Sequence, residues 1–175
     1  YYIIVYNYFL DNQKIGFNSI DYIEIVFIHN ILYYLAHFGM HKVSFLKFMH
    51  EFHHLFKDTI PSTGNAVSVC EFNFAYILPF VIASLIVVPN NVTLKCSVGT
   101  ISILNTFIHT PNFDSVLYHP VLVSPSNHMK HHKDKSGNYA APLINIDYLI
   151  KEFWINFNYY KEITKLKIDY FLKNE

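Results

Sequence analysis

Residues 37–54 read HFGMHKVSFLKFMHEFHH, and they overlap the end of an apolar segment at 20–40. A helix that crosses a bilayer needs about 20 mostly apolar residues, so the segment is long enough to span. Five histidines therefore lie where a membrane helix meets water. Spacings of three and four place side chains on one face of a helix, so these imidazoles can point towards one place.

Two further apolar segments follow, at 67–88 and 92–109, separated by the helix-breaking residues Pro89-Asn90-Asn91. Their lengths and the turn between them predict a helical hairpin that crosses the membrane and returns. We expect an all-α, integral membrane helical bundle with a transmembrane hairpin and a histidine-rich helical cap. The cap is predicted to comprise residues 41–66 and 110–175, on the cytoplasmic side.

Lysine distribution gives the predicted orientation. Lys42, Lys47 and Lys57 precede the hairpin and eight lysines follow His109, whereas Lys95 is the nearest to the hairpin turn. Lysine-rich loops mark the cytoplasmic side of a membrane protein. The polar chemistry is therefore expected on the cytoplasmic face, with the hairpin as its anchor.

Composition supports a membrane protein. Of 175 residues, 52% are hydrophobic and only 15% are charged, against roughly 25% charged in soluble domains. Thirteen lysines balance thirteen acidic residues, so the formal net charge is zero and gives no indication of a nucleic-acid partner. The length suits one domain, 1–175, and the apolar start at Tyr1–Leu10 without a methionine suggests N-terminal truncation, with part of a membrane helix lost.

Nine of the eleven histidines form a pattern: H-x-x-x-H, H-x-x-H-H, a single histidine, and a second H-x-x-H-H. Imidazole is a ligand for zinc, copper, iron and nickel. Nine imidazoles exceed the four ligands of one tetrahedral zinc ion, so two metals are the economical interpretation. The predicted ligands are His37, His41, His50, His53, His54, His109, His128, His131 and His132.

The other two histidines are expected to do something else. His29 lies eight residues before His37, about 12 Å along a helix, too far to share a centre whose metals sit roughly 4 Å apart. We expect it to face the bundle interior or a cavity, with packing favoured over substrate contact, and His119 to be a loop residue. Cys70 and Cys96 lack metal or redox spacing and are expected to be inert packing residues.

One rival motif uses the same residues. His50, Glu51 and His54 satisfy H-E-x-x-H, in which two histidines bind zinc and the glutamate acts as the general base of a peptidase. That interpretation leaves His53 and the second H-x-x-H-H without a role. No distal acidic motif supplies the third zinc ligand, and Glu71 is the one remaining candidate for it. Glu51 is expected to be solvated or to support a ligand.

The order and spacing of the histidine motifs resemble the fatty acid hydroxylase superfamily, the membrane diiron oxidases that include sterol desaturases and sterol methyl oxidases. The resemblance covers His37 to about Ile150. Details are most similar to the sterol 4-methyl oxidase and cholesterol hydroxylase branch: His109-Thr110-Pro111, Asn138-Tyr139-Ala140 and Asp147 stand where that branch has comparable segments. Departures include isoleucine for tryptophan before Asp147 and Thr-Pro for Ser-Gly after His109.

The resemblance implies two iron ions held by the nine histidines, with dioxygen as co-substrate and electrons from a cytochrome b5-type donor and its reductase. It also implies a lipid substrate, either a sterol oxidised at a C4 methyl group or a fatty acyl chain, and a place in the endoplasmic reticulum. An alternative is a catalytically degenerate protein that binds metal without oxidising anything. The zinc peptidase is the less favoured second alternative.

Overall fold

The computed structural model describes residues 16–114 and 119–173, with side chains to residue 166. Helix α1 is Ser19–Lys42, and it begins where the Asn18 side chain accepts hydrogen bonds from the amides of Ile20 and Asp21. The expected start of a membrane helix at Tyr1–Leu10 lies outside the described residues. Two short helical stretches then follow α1: Ser44–Leu46 and, as α2, Lys47–His50.

The two segments predicted to form a hairpin are both helical. Helix α3, Val69–Val87, and helix α4, Asn91–Ile108, follow each other across a short turn, and both pack against α1. That α4 crosses the membrane stays a prediction, because α4 is not among the described helices that are long and apolar enough to span it. Asn90 caps α4 by accepting a hydrogen bond from the amide of Thr93. The third predicted apolar segment is thus helical at nearly the expected bounds.

Helix α3 contains a wider π-helical turn at Phe72–Ile77, directly before Pro79. The Leu78 amide donates to the Asn73 carbonyl, five residues back. Proline within a helix removes one hydrogen bond and crowds the carbonyl four residues earlier, so the wider turn lets the helix continue. Glu71, which accepts a hydrogen bond from His50, directly precedes this turn.

The cap is built from short elements. Turns at His53–Leu55 and Pro61–Asn65 lie between α2 and α3, and a turn at Pro111–Phe113 lies between α4 and helix α5, Pro125–Asp134. Helix α6, Ile146–Lys173, lies at the C-terminal end of the described residues and exposes large apolar side chains including Phe153 and Trp154. In the described residues β-pairing is limited to one isolated bridge, between Leu122 and Ile144.

The helices expose large apolar side chains and bury polar ones alongside an apolar core. On α1, apolar Ile20, Ile23, Phe27 and Leu35 are exposed, while His29 and other polar side chains are buried. Within the described residues, two helices are long and apolar enough to cross a membrane: Ser19–Lys42 and Val69–Val87. Apolar side chains outside and polar groups facing the bundle interior fit a protein solvated by lipid. The chain is an all-α membrane protein, as the sequence predicted.

Candidate metal centre

Five histidines converge at the cap end of α1. His37 and His41 lie on the last turns of α1, His50 ends α2, and their ring nitrogens face one another. The Nε2 atoms of His37 and His50 are 2.8 Å apart, and those of His37 and His131 are 3.1 Å apart. Ligand atoms from all members of this five-histidine group lie within 4.8 Å of one another: His37, His41, His50, His54 and His131.

A second group of four histidines adjoins the first. His109 immediately follows α4, and its Nε2 lies 3.0 Å from Nε2 of His128 and 3.4 Å from Nε2 of His53. The rings of His54 and His132 are 4.9 Å apart between centroids, which brings the two groups into contact. The four-histidine group has its ligand atoms within 4.8 Å of one another: His53, His109, His128 and His132.

Hydrogen bonds at the far side of the rings fix most of the imidazoles. His37 Nδ1–H donates to the Tyr139 carbonyl at 2.6 Å, His109 to the Asn105 carbonyl at 2.7 Å and His131 to the Gly137 carbonyl at 2.8 Å. Carbonyl oxygens only accept hydrogen bonds, so in each case Nδ1 carries the proton. The remaining rings held this way are His53 by Ala66, His54 by His132 and His132 by Phe56.

This proton arrangement has a direct consequence for the ring nitrogens that converge. A neutral imidazole with its proton on Nδ1 presents a lone pair at Nε2. The Nε2 atoms of His37 and His131 therefore face each other at 3.1 Å as two acceptors, as do those of His53 and His109 at 3.4 Å. Opposed lone pairs repel unless a cation lies between them, so the donor set fits metal ions in both groups.

Burial keeps the cap imidazoles neutral. Removal from water lowers the pKa of His54 to about 3, and the pKa values of His109 and His132 to about 4 each. Neighbouring positive charges lower the pKa of His54 further, whereas carbonyl acceptors oppose the shift in all three. A metal ligand must be the neutral imidazole, so these side chains are ready to bind at neutral pH.

Glu71 was not identified as part of the centre from the sequence alone. Its Oε1 accepts a 2.6 Å hydrogen bond from Nδ1 of His50, and both side chains are buried. A carboxylate behind a ligating imidazole orients the ring and makes its other nitrogen a stronger donor to metal. The sequence did not predict the contact between Glu71 and His50, because the two residues belong to different helices.

The segment after α5 also supports the centre. Tyr139 supplies the carbonyl that holds His37, and the next amide, of Ala140, donates to Oδ2 of Asp147 at 2.7 Å. Asp147 lies in the first turn of α6. The Asp147 carboxylate therefore links α6 to the backbone segment that orients His37 on α1. This contact gives a physical role to Asn138-Tyr139-Ala140 and to Asp147, both of which the sequence analysis singled out.

The two histidines excluded by spacing stay outside both groups. His29 is buried in the bundle with its ring 4.1 Å from that of Phe80, and His119 is an exposed loop residue. The expectation for the cysteines was wrong: Cys70 and Cys96 are both exposed. They sit on the outward faces of α3 and α4, where a small apolar side chain can face lipid without packing in the core.

The arrangement required of a peptidase does not form. Glu51 is exposed, so it does not face a water held between His50 and His54. Those two histidines instead share one group with His37, His41 and His131. Glu71, the suggested third zinc ligand, holds Nδ1 of His50 and so lies behind that ring.

A cavity of about 830 Å³ lies between α3 and α4. Its wall is mainly apolar and extends from Asn91, at the hairpin turn, to Asn105, fourteen residues on and roughly 21 Å along the helix. At the cap end, Gly64 and Asn105 line the cavity and also touch His109. A Cβ added at Gly64 would lie 2.9 Å from His109 Nδ1, so only this thin wall separates the cavity from the four-histidine group.

Comparison with known families agrees with this geometry. The model of the family described as fatty acid hydroxylase matches residues 22–152, a span that contains all nine converging histidines and the hairpin. No curated protein and no solved structure matches the chain. Since the family match covers well over half of the sequence, the chain belongs to the fatty acid hydroxylase family and is, in general terms, a membrane oxidoreductase that acts on lipids.

Proposed function

We propose that this protein is a diiron oxygenase that uses dioxygen to oxidise a C–H bond of a membrane lipid. The single observation that carries the proposal is the convergence of nine imidazoles into two adjoining groups. Two metals explain why so many neutral ring nitrogens lie together in a buried place. The family match supports iron as the metal and a lipid as the substrate class.

In this proposal the five-histidine group holds one iron and the four-histidine group holds the other. Bound irons would supply the activation of dioxygen, which protein side chains alone cannot provide. Histidine suits such a site because a thiolate would itself be oxidised there. The four-histidine group has fewer protein ligands and adjoins the cavity, which makes it the side from which substrate approaches.

The residues of the chain would position the reactants and exclude water. Backbone carbonyls of Tyr139, Asn105 and Gly137 fix the directions of three imidazoles, and Glu71 fixes a fourth. All nine histidines except His41 are nearly inaccessible to solvent, so the reacting carbon would meet a dry site. Exclusion of water protects a reactive centre from side reactions.

The proposal also includes the orientation of the protein in the membrane, its electron donor and the membrane in which it lies. The lysines that flank the cap support a cytoplasmic position for the histidines, where a cytochrome b5-type protein and its reductase would deliver electrons. The endoplasmic reticulum is the proposed membrane. The substrate would be a sterol or a fatty acyl chain, with oxidation at a sterol C4 methyl group as the more specific expectation from the sequence.

A protein that binds metal but has lost catalysis is the alternative. It would retain both histidine groups and show no oxidation. The intact carbonyl and carboxylate contacts behind the imidazoles favour an active centre, because they fix the rings in the directions that coordination requires.

A single-turnover experiment tests the proposal. Purified protein in detergent is loaded with ferrous iron under anaerobic conditions, mixed with a lipid extract, exposed to isotopically labelled dioxygen and analysed by mass spectrometry. The proposal predicts a lipid product that carries one oxygen atom from labelled dioxygen, or one that has lost two hydrogen atoms. Bound iron without any oxidised lipid, across sterol and acyl-chain pools, would favour the degenerate alternative.

A further inference from the structure

Helix α6 leaves large apolar side chains exposed along most of its described length. Between Leu149 and Leu166, all side chains except those of Glu152 and Ile163 are exposed. Those with 41% to 66% of their surface accessible include Leu149, Ile150, Phe153, Trp154, Phe157 and Tyr160. A contiguous exposed apolar surface marks a site that contacts another protein or a membrane.

These six side chains form an apolar stripe along α6. Spacings of three and four residues place five of them on one face, with Trp154 at its edge. The rings of Trp154 and Phe157 are 5.8 Å apart between centroids, so the stripe is continuous. The opposite face carries the charged residues Lys151 and Glu162, with Ile155 between them. One side of α6 is therefore suited to an apolar environment and the other to water.

The backbone that leads into α6, residues 139–145, runs along α1 from the cap towards the middle of that helix. The Tyr139 carbonyl accepts the hydrogen bond from His37. The amides of Leu143 and Ile144 both donate to Oδ1 of Asn30 at 3.2 Å. Asn30 precedes His37 by seven residues, which is roughly 10 Å along a helix. This connecting segment therefore descends by about that distance before α6 begins.

The level of Asn30 lies within the membrane if α1 spans it. Asn30 is close to the middle of α1, a helix of 24 residues and roughly 36 Å, whereas the hydrocarbon core of a bilayer is about 30 Å thick. Phe38, exposed on α1, packs edge-on against the ring of Tyr139 in the connecting segment. The start of α6 is therefore continuous with the face of α1 that contacts lipid.

The composition of α6 favours a position along the membrane surface. The helix is not among the described helices that are long and apolar enough to cross a membrane. Over residues 146–166, three lysines and three acidic residues are interspersed with the apolar ones. A helix that is too polar to cross, but apolar on one side, is stable with that side among the acyl chains and its charged side in water.

We infer that α6 is an interfacial helix, which lies along the lipid surface on the histidine side of the membrane with its apolar stripe among the acyl chains. Such helices sink about 5–10 Å into the boundary between headgroups and acyl chains, which matches the descent of the connecting segment. Because the charges over 146–166 balance, apolar burial rather than attraction to anionic headgroups holds α6 there. Asp147 bonds the Ala140 amide, so α6 also supports the segment that holds His37.

Tryptophan fluorescence reports where α6 lies. Trp154 is the only tryptophan in the sequence, so the signal of the wild-type protein comes from the edge of the stripe. The protein is placed in phosphatidylcholine nanodiscs and quenched by iodide in the water, or by lipids spin-labelled near the headgroup or near the chain end. Tryptophan in an interfacial helix sits at the level of the headgroups. We expect emission at shorter wavelength than in water and the largest loss of fluorescence with the label near the headgroup.

Moving the tryptophan tests which face meets the lipid. Trp154→Phe with Phe157→Trp puts the reporter within the stripe, and Trp154→Phe with Glu162→Trp puts it on the opposite face. Spin-labelled lipid should quench the reporter at 157 more than the one at 162, and iodide should quench the reporter at 162 more than the one at 157. The reverse order, or equal quenching at both positions by both reagents, would overturn the inference.

A charge substitution tests whether the stripe holds α6 at the membrane. Phe157→Lys is compared with the matched control Ile155→Lys, because the two side chains are 50% and 51% exposed and lie on opposite faces. A charge among acyl chains is costly, so Phe157→Lys should release this part of α6. Emission from Trp154 should then shift to longer wavelength and its quenching by iodide should rise, with neither change in Ile155→Lys. Equal responses in the two variants would contradict the assigned orientation.

Other locations of α6 would give other results, each of which overturns the inference. Strong iodide quenching at 157 without quenching by labelled lipid would place α6 in water. Quenching by neither reagent would show that a second copy of the chain or another protein covers the stripe. Strongest quenching by the label near the chain end would place α6 across the bilayer. None of these measurements needs bound iron or turnover, so the result is independent of the proposed oxygenase.

Discussion

Glu71 and His50 form a buried pair in which the imidazole Nδ1–H donates to the carboxylate Oε1 at 2.6 Å. Glu71 comes from the first turn of a membrane helix, and His50 from the short helix α2. The bond therefore joins the membrane part to the cap at one ring of the five-histidine group. The other orienting bonds that we describe use backbone carbonyls, so this ring is the one that a single side-chain substitution can release.

Replacement of Glu71 tests its role behind the ring. Glu71→Ala removes the orienting acceptor and should weaken metal binding by about 10- to 100-fold, as loss of such partners does at other metal sites. Glu71→Gln keeps an acceptor oxygen without the charge and should fall between Ala and wild type. Iron retained after dialysis against a graded chelator series gives the comparison. Equal retention in all three proteins would show that His50 needs no partner.

Single histidine substitutions test the ligand assignment. His131→Ala removes one ligand of the five-histidine group and should abolish turnover while leaving membrane insertion intact, and we expect the same of His53→Ala, His54→Ala and His132→Ala. His29→Gln is the control, since His29 lies in the bundle outside both groups. Lipid oxidation is measured with membranes of equal protein content. Full turnover in His131→Ala, or metal loss in His29→Gln as large as in His131→Ala, would contradict the assignment.

A glycine substitution tests the contact between the cavity wall and His109. At Gly64 a Cβ would lie 2.9 Å from His109 Nδ1, closer than a Cβ comes to a neighbouring atom, and at a tight 3.3 Å from the Asn105 carbonyl. Gly64→Ala should displace the His109 ring and lower the iron content from about two towards one per chain. Gly99→Ala, with no atom within 4 Å of its added Cβ, should retain both. Unchanged iron in Gly64→Ala would show that His109 can shift without losing its ligand role.

The sequence predicted the helices and the grouping of histidines because both depend on local spacing. The length of an apolar segment predicts a membrane helix, and the H-x-x-H-H spacing places imidazoles together on one side of a short helical segment. The separation of His29 from the centre followed from helical rise alone. The family resemblance, carried by the order of the same motifs, agrees with the family match for residues 22–152.

Features that depend on contacts between distant segments could not be predicted. The division into five and four histidines puts His53 and His54, which are neighbours in sequence, into different groups. The Glu71–His50 bond and the Gly64–His109 contact join residues from separate elements. The cysteines were wrongly expected to pack inside, because an apolar stretch in a membrane helix does not reveal which face meets lipid.

Metal content of the double variant His131→Ala, His132→Ala is the most direct test of the central claim, since it removes one histidine from each group. Wild-type protein, purified in detergent after expression with iron supplementation, should contain about two irons per chain that dithionite reduces. The double variant should lose both while remaining folded and inserted in the membrane. One zinc per chain, retained when His131 and His132 are replaced, would contradict the diiron centre and return the assignment to His50 and His54 alone.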